Sequence, residues 1–203
     1  MVSKLSENGV AGFILANGAL SGGGEEYKIR RTLIENNLVE AILVLPRNLF
    51  YTTDISVTLW ILNRNKKEQI RNIGDVTRKY RNREKEILFL DLRQLGEPFE
   101  KKYAQFADVD IKKVTSTYHL WQSVEIENIP EFCYSAEFEE VAKKDFSLVP
   151  SKYIEFVNRD ENIDFDEKMK SLQSELSDLL KAEENSKMDL LNVFSELGYD
   201  IKL

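Results

Sequence analysis

The sequence predicts an α/β fold, one end of an α/β sheet that closes in an antiparallel hairpin and is followed by an α-helical tail. Three observations carry this. Apolar runs of strand length at Val10–Ala16 and Leu38–Leu45 are separated by a segment with helical spacing. Only Pro46 to Asp54 divides Leu38–Leu45 from a third run, Ile55–Leu62. From Phe165 onward apolar residues recur at helical spacing in a strongly acidic background.

Val10-Ala-Gly-Phe-Ile-Leu-Ala16 is nearly continuously apolar and is closed by Asn17-Gly18, as for a strand buried on both faces of a mostly parallel sheet. Ser21-Gly-Gly-Gly24 then turns into Glu25-Glu26, two acids suited to a helix N-terminus, with Ile29, Leu33 and Ile34 on one face and Asn36-Asn37 as the stop. Leu38–Leu45 ends at Pro46, and Ile55–Leu62 is rich in β-branched and aromatic residues. A parallel crossover needs a dozen or more residues, so these two strands must pair antiparallel. Arg64 to Lys85 holds nine Lys/Arg against three acids and lacks strong periodicity, which predicts an exposed basic loop. Glu86–Leu92 is a further strand, stopped by Gly96 and Pro98. Asp108 or Asp110 caps a helix with Ile111, Val114, Tyr118 and Trp121 on its apolar face. A short helix is expected over 136–144, and these later elements should pack beside the sheet. In the tail, Phe165, Met169, Leu172, Leu176 and Leu179 form a stripe that Ala182–Lys187 interrupts before Leu190, Leu191, Phe194 and Leu197. That predicts a helix pair or a bent helix. The expected divisions are 1–100 for the sheet, 101–159 for a mixed segment and 160–203 for the tail.

Composition narrows the function. The 203 residues carry 28 Lys+Arg and 35 Asp+Glu, a net charge of −7. All of that excess lies from Asp160 onward, where twelve acids face five bases. One Cys (Cys133) and one His (His119) support neither a disulfide framework nor a structural zinc site. No stretch reaches the roughly 18 apolar residues of a membrane span and no signal peptide opens the chain, so a cytoplasmic protein without membrane partners is expected. Ser21–Gly24 lacks the Lys-Ser/Thr of a phosphate-binding loop, and His119 has no nucleophile elbow to serve. The loop Asn48–Asp54 is the better candidate. Phe50 and Tyr51, bounded by Thr52 and Thr53, suit stacking on a flat ring such as a nucleobase, while Phe50 alone equally suits a core plug. The basic stretch that follows offers Lys66, Lys67, Arg71, Arg78 and Arg81 as candidate phosphate contacts, or a solvated loop.

The run Ala11–Leu20, then Ile29-Arg-Arg31, Leu38-Val-Glu40, Leu45-Pro46, Leu49–Thr53 and Val57–Trp60 resembles the modification subunit of type I restriction-modification systems. Leu88–Asp91, Thr117–Trp121, Phe132-Cys133 and Leu148–Tyr153 extend the similarity over about residues 9 to 155 in matching order. That subunit is an S-adenosylmethionine-dependent adenine-N6 DNA methyltransferase. The family's glycine-rich cofactor loop and its Asn-Pro-Pro-Phe motif occur nowhere in this sequence. The resemblance therefore implies the C-terminal part of a Rossmann-like methyltransferase sheet, inactive alone and binding no cofactor by itself. It also implies partners: DNA, a specificity subunit and a restriction subunit, and the missing N-terminal methyltransferase half. By the same resemblance Phe50, with Tyr51 beside it, stacks on the flipped adenine, and the tail helps dock the specificity subunit. The competing reading is a non-enzymatic module that docks a specificity or restriction subunit.

Overall fold

The computed structural model describes residues 2–100, 102–157 and 165–199. The chain divides into two units, 1–157 and 158–203. The expected tail boundary at 160, with residues 160–164 and 200–203, lies outside the described residues.

Strand β2 (Val39–Val44) is buried along its whole length, as its unbroken apolar run requires of a central strand. It pairs antiparallel with β3 (Val57–Asn63), with Ile42 opposite Trp60 and Val44 opposite Thr58, which bears out the pairing read from the short connection. Its other edge pairs parallel with β6 (Glu86–Asp91), and β6 pairs antiparallel with β9 (Cys133–Glu137). With β1 (Val10–Ala16) antiparallel to β3, the sheet order is β1-β3-β2-β6-β9.

Each face of this sheet carries its own apolar cluster. Ile42, Trp60 and Phe89 lie on one face with Ile34 of α1 (Gly24–Glu35), Val141 of α3 (Phe138–Lys143), Leu148 and Tyr153. The Phe89 and Tyr153 rings stack there at 4.2 Å. Ala41, Leu43, Leu88 and Leu90 lie on the other face under Trp121 of α2 (Asp108–Ser123) and Phe132. Asp110 Oδ2 accepts from the Ala107 and Gly96 backbone N–H groups, so Asp110 rather than Asp108 ties down the start of α2. The β2 register slips at Glu40, a bulge that places Val39 on the Ile42 face and leaves Glu40 to meet Gln122 of α2.

Several expectations are corrected. β1 is not doubly buried in a parallel sheet; it is an antiparallel edge strand with Val10, Ile14 and Leu15 exposed. The basic stretch is not a loop but contains a hairpin, β4 (Gln69–Ile73) and β5 (Val76–Tyr80), turning at Gly74-Asp75. Gly74 sits at φ 59°, the left-handed conformation such a two-residue turn demands. Ala136 and Glu137, expected to open the helix over 136–144, instead end a strand of the sheet, Cys133–Glu137, and α3 starts only at Phe138. A second small hairpin, β7 (Glu97–Phe99) with β8 (Tyr103–Gln105), follows β6.

Among its described residues the other unit is one helix, α4 (Phe165–Glu196), not a pair and not two pieces. Ala182–Lys187 contains neither Gly nor Pro, and its residues are ordinary helix formers or mildly unfavourable ones, so the polar interruption breaks the stripe without breaking the helix. No helix among the described residues is long and apolar enough to cross a membrane.

Candidate functional site

The loop between β2 and β3 leaves the sheet at the carboxyl end of the parallel pair β2–β6, where open α/β sheets place their ligands. Its neck is closed by Leu45 N–H donating to Val57 O (2.9 Å), Ser56 Oγ donating to Leu45 O (2.6 Å) and Arg47 Nε donating to Asp54 O (3.1 Å). Above the neck the chain makes a tight turn, with Thr53 N–H donating to Phe50 O at 3.3 Å. The turn separates the two aromatics. Phe50 at its base is half-buried against the Leu43–Leu90 cluster, whereas Tyr51 at its apex is 71% exposed.

The β7–β8 hairpin supplies the opposite wall. Ala104 N–H donates to Asn48 O at 3.0 Å, and the Tyr103 ring meets Tyr51 edge-on at 4.7 Å. Phe50, Tyr51, Thr52, Thr53, Lys102 and Tyr103 thereby line a cavity of about 220 Å³. A larger depression of about 500 Å³ adjoins it and brings in Arg47, Arg93 and the Gly96 turn. Arg93 is held by Asp91, whose oxygens accept from its guanidinium at 2.5–3.1 Å, and burial of Asp91 fixes that end of β6. Thus the candidate ring-stacking residues do come together. Lys102, Tyr103 and Arg47, which sequence reading missed, join them; Lys102-Tyr103 close after the Gly96 and Pro98 turn was the available signal.

The candidate phosphate contacts are elsewhere. Lys66 is only 2% exposed, and its Nζ donates to the carbonyls of Val39 (2.9 Å) and Glu86 (2.6 Å), the first residues of β2 and β6. The basic hairpin therefore sits at the amino end of the parallel strands, away from the aromatic loop that follows it in sequence. Arg81 is engaged by Glu86 (2.6 Å), and the Arg78 guanidinium lies 2.9 Å from His119 Nδ1. Arg71 donates to Asn8 (3.3 Å) and only Lys67 is fully on the surface. Beneath them lies a buried ion pair, Arg83 Nη2 to Glu40 Oε1 at 3.2 Å, both side chains wholly inaccessible. Gln122 Nε2 also donates to Glu40 Oε1 at 3.2 Å. Arg83 itself donates to the carbonyls of Arg81 and Gln122.

Burial pulls the Lys66 ammonium from 10.5 down to about 8, against the opposing pull of Glu40. Between those values the unfolded chain binds the extra proton, so stability rises with pH across that window. Above pH 9 the buried Cys133 thiol, and above pH 10 the buried Tyr118 hydroxyl, both pushed up by burial, act in the opposite sense. Stability is therefore expected to climb from pH 8 to pH 9 in the wild type, and Lys66→Met is expected to flatten that climb. Urea unfolding at the two pH values checks this, and an equal climb in the variant sinks it.

Residues 1–162 match the family model described as N-6 DNA Methylase. The chain belongs to the N-6 DNA methylase family. The HindI methylase subunit of a type I restriction enzyme from Haemophilus influenzae is 34% identical over 203 residues, covering 98% of this chain. The MjaIX methylase subunit from Methanocaldococcus jannaschii is 31% identical over 195 residues and covers 95% of it. The chain spans 42% and 33% of the lengths of these two relatives, so it corresponds to part of such a subunit. A type I methyltransferase subunit structure from Streptococcus thermophilus superposes with TM-score 0.59 at 25% identity, covering 72% of this chain and 27% of that one. The EcoKI M protein shares the fold, with TM-score 0.56 at 16% identity over 88% of this chain and 41% of its own. The resemblance and the α/β fold class read from sequence are both borne out.

Family membership implies S-adenosylmethionine for a whole N-6 DNA methylase. The glycine-rich turn of this chain does not fit that cofactor. Its one glycine-rich turn, Ser21–Gly24, is pinned by Arg30 Nη1 donating to Ala19 O (3.1 Å) and Gly22 O (2.9 Å), and it opens onto Glu25 and Glu26. No step of methyl transfer is assigned to these residues.

Proposed function

We propose that this chain forms the target-base side of a type I adenine-N6 DNA methyltransferase subunit, and that the remaining part of that subunit supplies the methyl donor. The observation that carries this is the aromatic turn Phe50–Thr53 at the carboxyl end of the sheet, open to solvent at Tyr51 and walled by Lys102 and Tyr103. An extruded base loses its stacking partners, and an aromatic held on a short turn replaces them. Thr52 and Thr53 offer hydroxyls at the base edge, and Lys102 a cation for the flanking phosphate. Lys67, Arg71 and Arg78, at the far end of the sheet, would meet DNA backbone only on a duplex that runs the length of the body.

The free edge of β1 is where the rest of the subunit joins. One side of β1 pairs with β3 and, among the described residues, no strand pairs with the other, leaving a row of backbone donors and acceptors. Beside it Phe13, Leu15, Ile29, Leu33 and Trp60 line an apolar depression of about 290 Å³. The continuous apolar run of β1 thus matches burial by a partner strand. The test is complementation: this chain is mixed with the portion holding the glycine-rich loop and Asn-Pro-Pro-Phe, and adenine methylation is assayed. Activity that needs both supports the proposal, and full activity without this chain overturns it. Leu15→Glu is expected to weaken that association roughly tenfold while leaving the unfolding midpoint unchanged, since about 1.5 kcal/mol of apolar burial is forfeited.

The α4 helix favours a second, compatible role. Its apolar stripe, from Phe165 through Leu179, has no partner within its own unit and suits docking of the specificity subunit of a type I complex.

A further inference from the structure

Because α4 is continuous, its stripe can be followed through the polar interruption, and it keeps a seven-residue period. One row runs Phe165, Leu172, Leu179, Ser186, Val193; the other runs Met169, Leu176, Glu183, Leu190. These are the two seam rows of a coiled coil, and each is polar at one position, both near the middle of the helix. No other element is described in the unit that α4 forms, so within that unit the seam has no partner.

We infer that Glu183 is the residue that selects the partner of α4: a helix carrying Lys or Arg opposite it, and not a second copy of this chain. The reading rests on α4 being a docking helix. A parallel pair of copies would set Glu183 against Glu183 in the seam. An antiparallel pair overlapping along the whole helix would set each Glu183 against the other's Leu179, placing two carboxylates in one apolar turn. Either arrangement buries charge without compensation. A facing Lys or Arg removes that penalty and fixes the register, as single polar seam residues do in coiled coils. Residues 165–199 carry eight acids against four bases, so the charge flanking the seam also favours a basic helix.

The test uses the full-length subunit and its own specificity subunit. Deleting 165–199 should abolish binding; unchanged affinity overturns the docking reading and this inference with it. Glu183→Lys should weaken binding roughly tenfold or more, by the cost of unpairing a buried charge, and reversing one helical Lys or Arg of the specificity subunit to Glu should restore it. Glu183→Leu should strengthen self-association of the subunit by roughly tenfold in sedimentation, because the seam then accepts its own copy. Leu and Glu have similar helix propensity, so the helix itself is preserved. If the deletion abolishes binding while both Glu183 variants bind and self-associate as the wild type does, docking stands and the selecting role of Glu183 falls.

Discussion

Arg83→Ala is expected to cost about 3–5 kcal/mol of unfolding free energy, because it leaves a buried carboxylate without its cation. Arg83 and Glu40 are both inaccessible, 3.2 Å apart, at the point where the β2 bulge, the segment after β5 and the end of α2 converge. The guanidinium also lies over the Tyr80 and Trp121 rings, at 5.4 and 5.7 Å, so its removal opens space in the second apolar cluster. Lys66 would soften the loss. Arg83 presses its ammonium toward the neutral form, and without Arg83 the Glu40 charge would hold it protonated. The companion double substitution, Arg83→Met with Glu40→Leu, should recover most of the stability, since replacing both charges removes their desolvation cost together. Urea unfolding of the three variants decides it. A single-substitution loss below about 1 kcal/mol would mean that the pair is solvated in the native state, because exposed ion pairs are worth only that much.

That network marks where the sequence stopped being readable. β2, β3 and β6 were legible because each is a run of apolar or β-branched residues, and the short Pro46–Asp54 link left only an antiparallel return for β3. The β4–β5 hairpin was not, because its charged residues mask the alternation and Ile70 and Val76 face solvent, although Gly74-Asp75 was a turn signal of the right kind. Burial of Lys66 and Arg83 was invisible for a deeper reason. Both belong to a residue type that is almost never buried, and the carbonyls and carboxylate that accept them come from β2 and β6, far away in sequence. The same limit governs the candidate site. Phe50–Thr53 stood out as a local pattern, but the wall that Tyr103 and Lys102 provide depends on a tertiary contact, Ala104 N–H to Asn48 O. The β1 strand was identified correctly and its setting wrongly, since an apolar run marks a strand without saying whether its neighbours run parallel or flank both of its edges.

In a subunit reconstituted with the methyl-donor portion, Phe50→Ala is expected to lower methylation about 5- to 150-fold, the equivalent of 1–3 kcal/mol of base stacking. Phe50 also packs on the sheet, so a loss of activity alone would not separate stacking from folding. Tyr51 supplies the separation. It is 71% exposed and among the described residues its ring meets only that of Tyr103, so Tyr51→Ala should leave the unfolding midpoint in place. If the turn holds a flipped base, both alanine variants lose DNA affinity and methylation together, and Phe50→Trp keeps both because any aromatic face can stack. If Phe50 is only a core residue, Phe50→Ala lowers the unfolding midpoint while turnover per folded molecule and DNA affinity match the wild type. A duplex carrying an unpaired target adenine adds a further discriminator. Flipping that base costs less, so a stacking residue should matter less for capture of the base from such a duplex than from a paired one. A deficit of equal size on both substrates would place the aromatic turn in DNA binding at large and remove it from the base pocket.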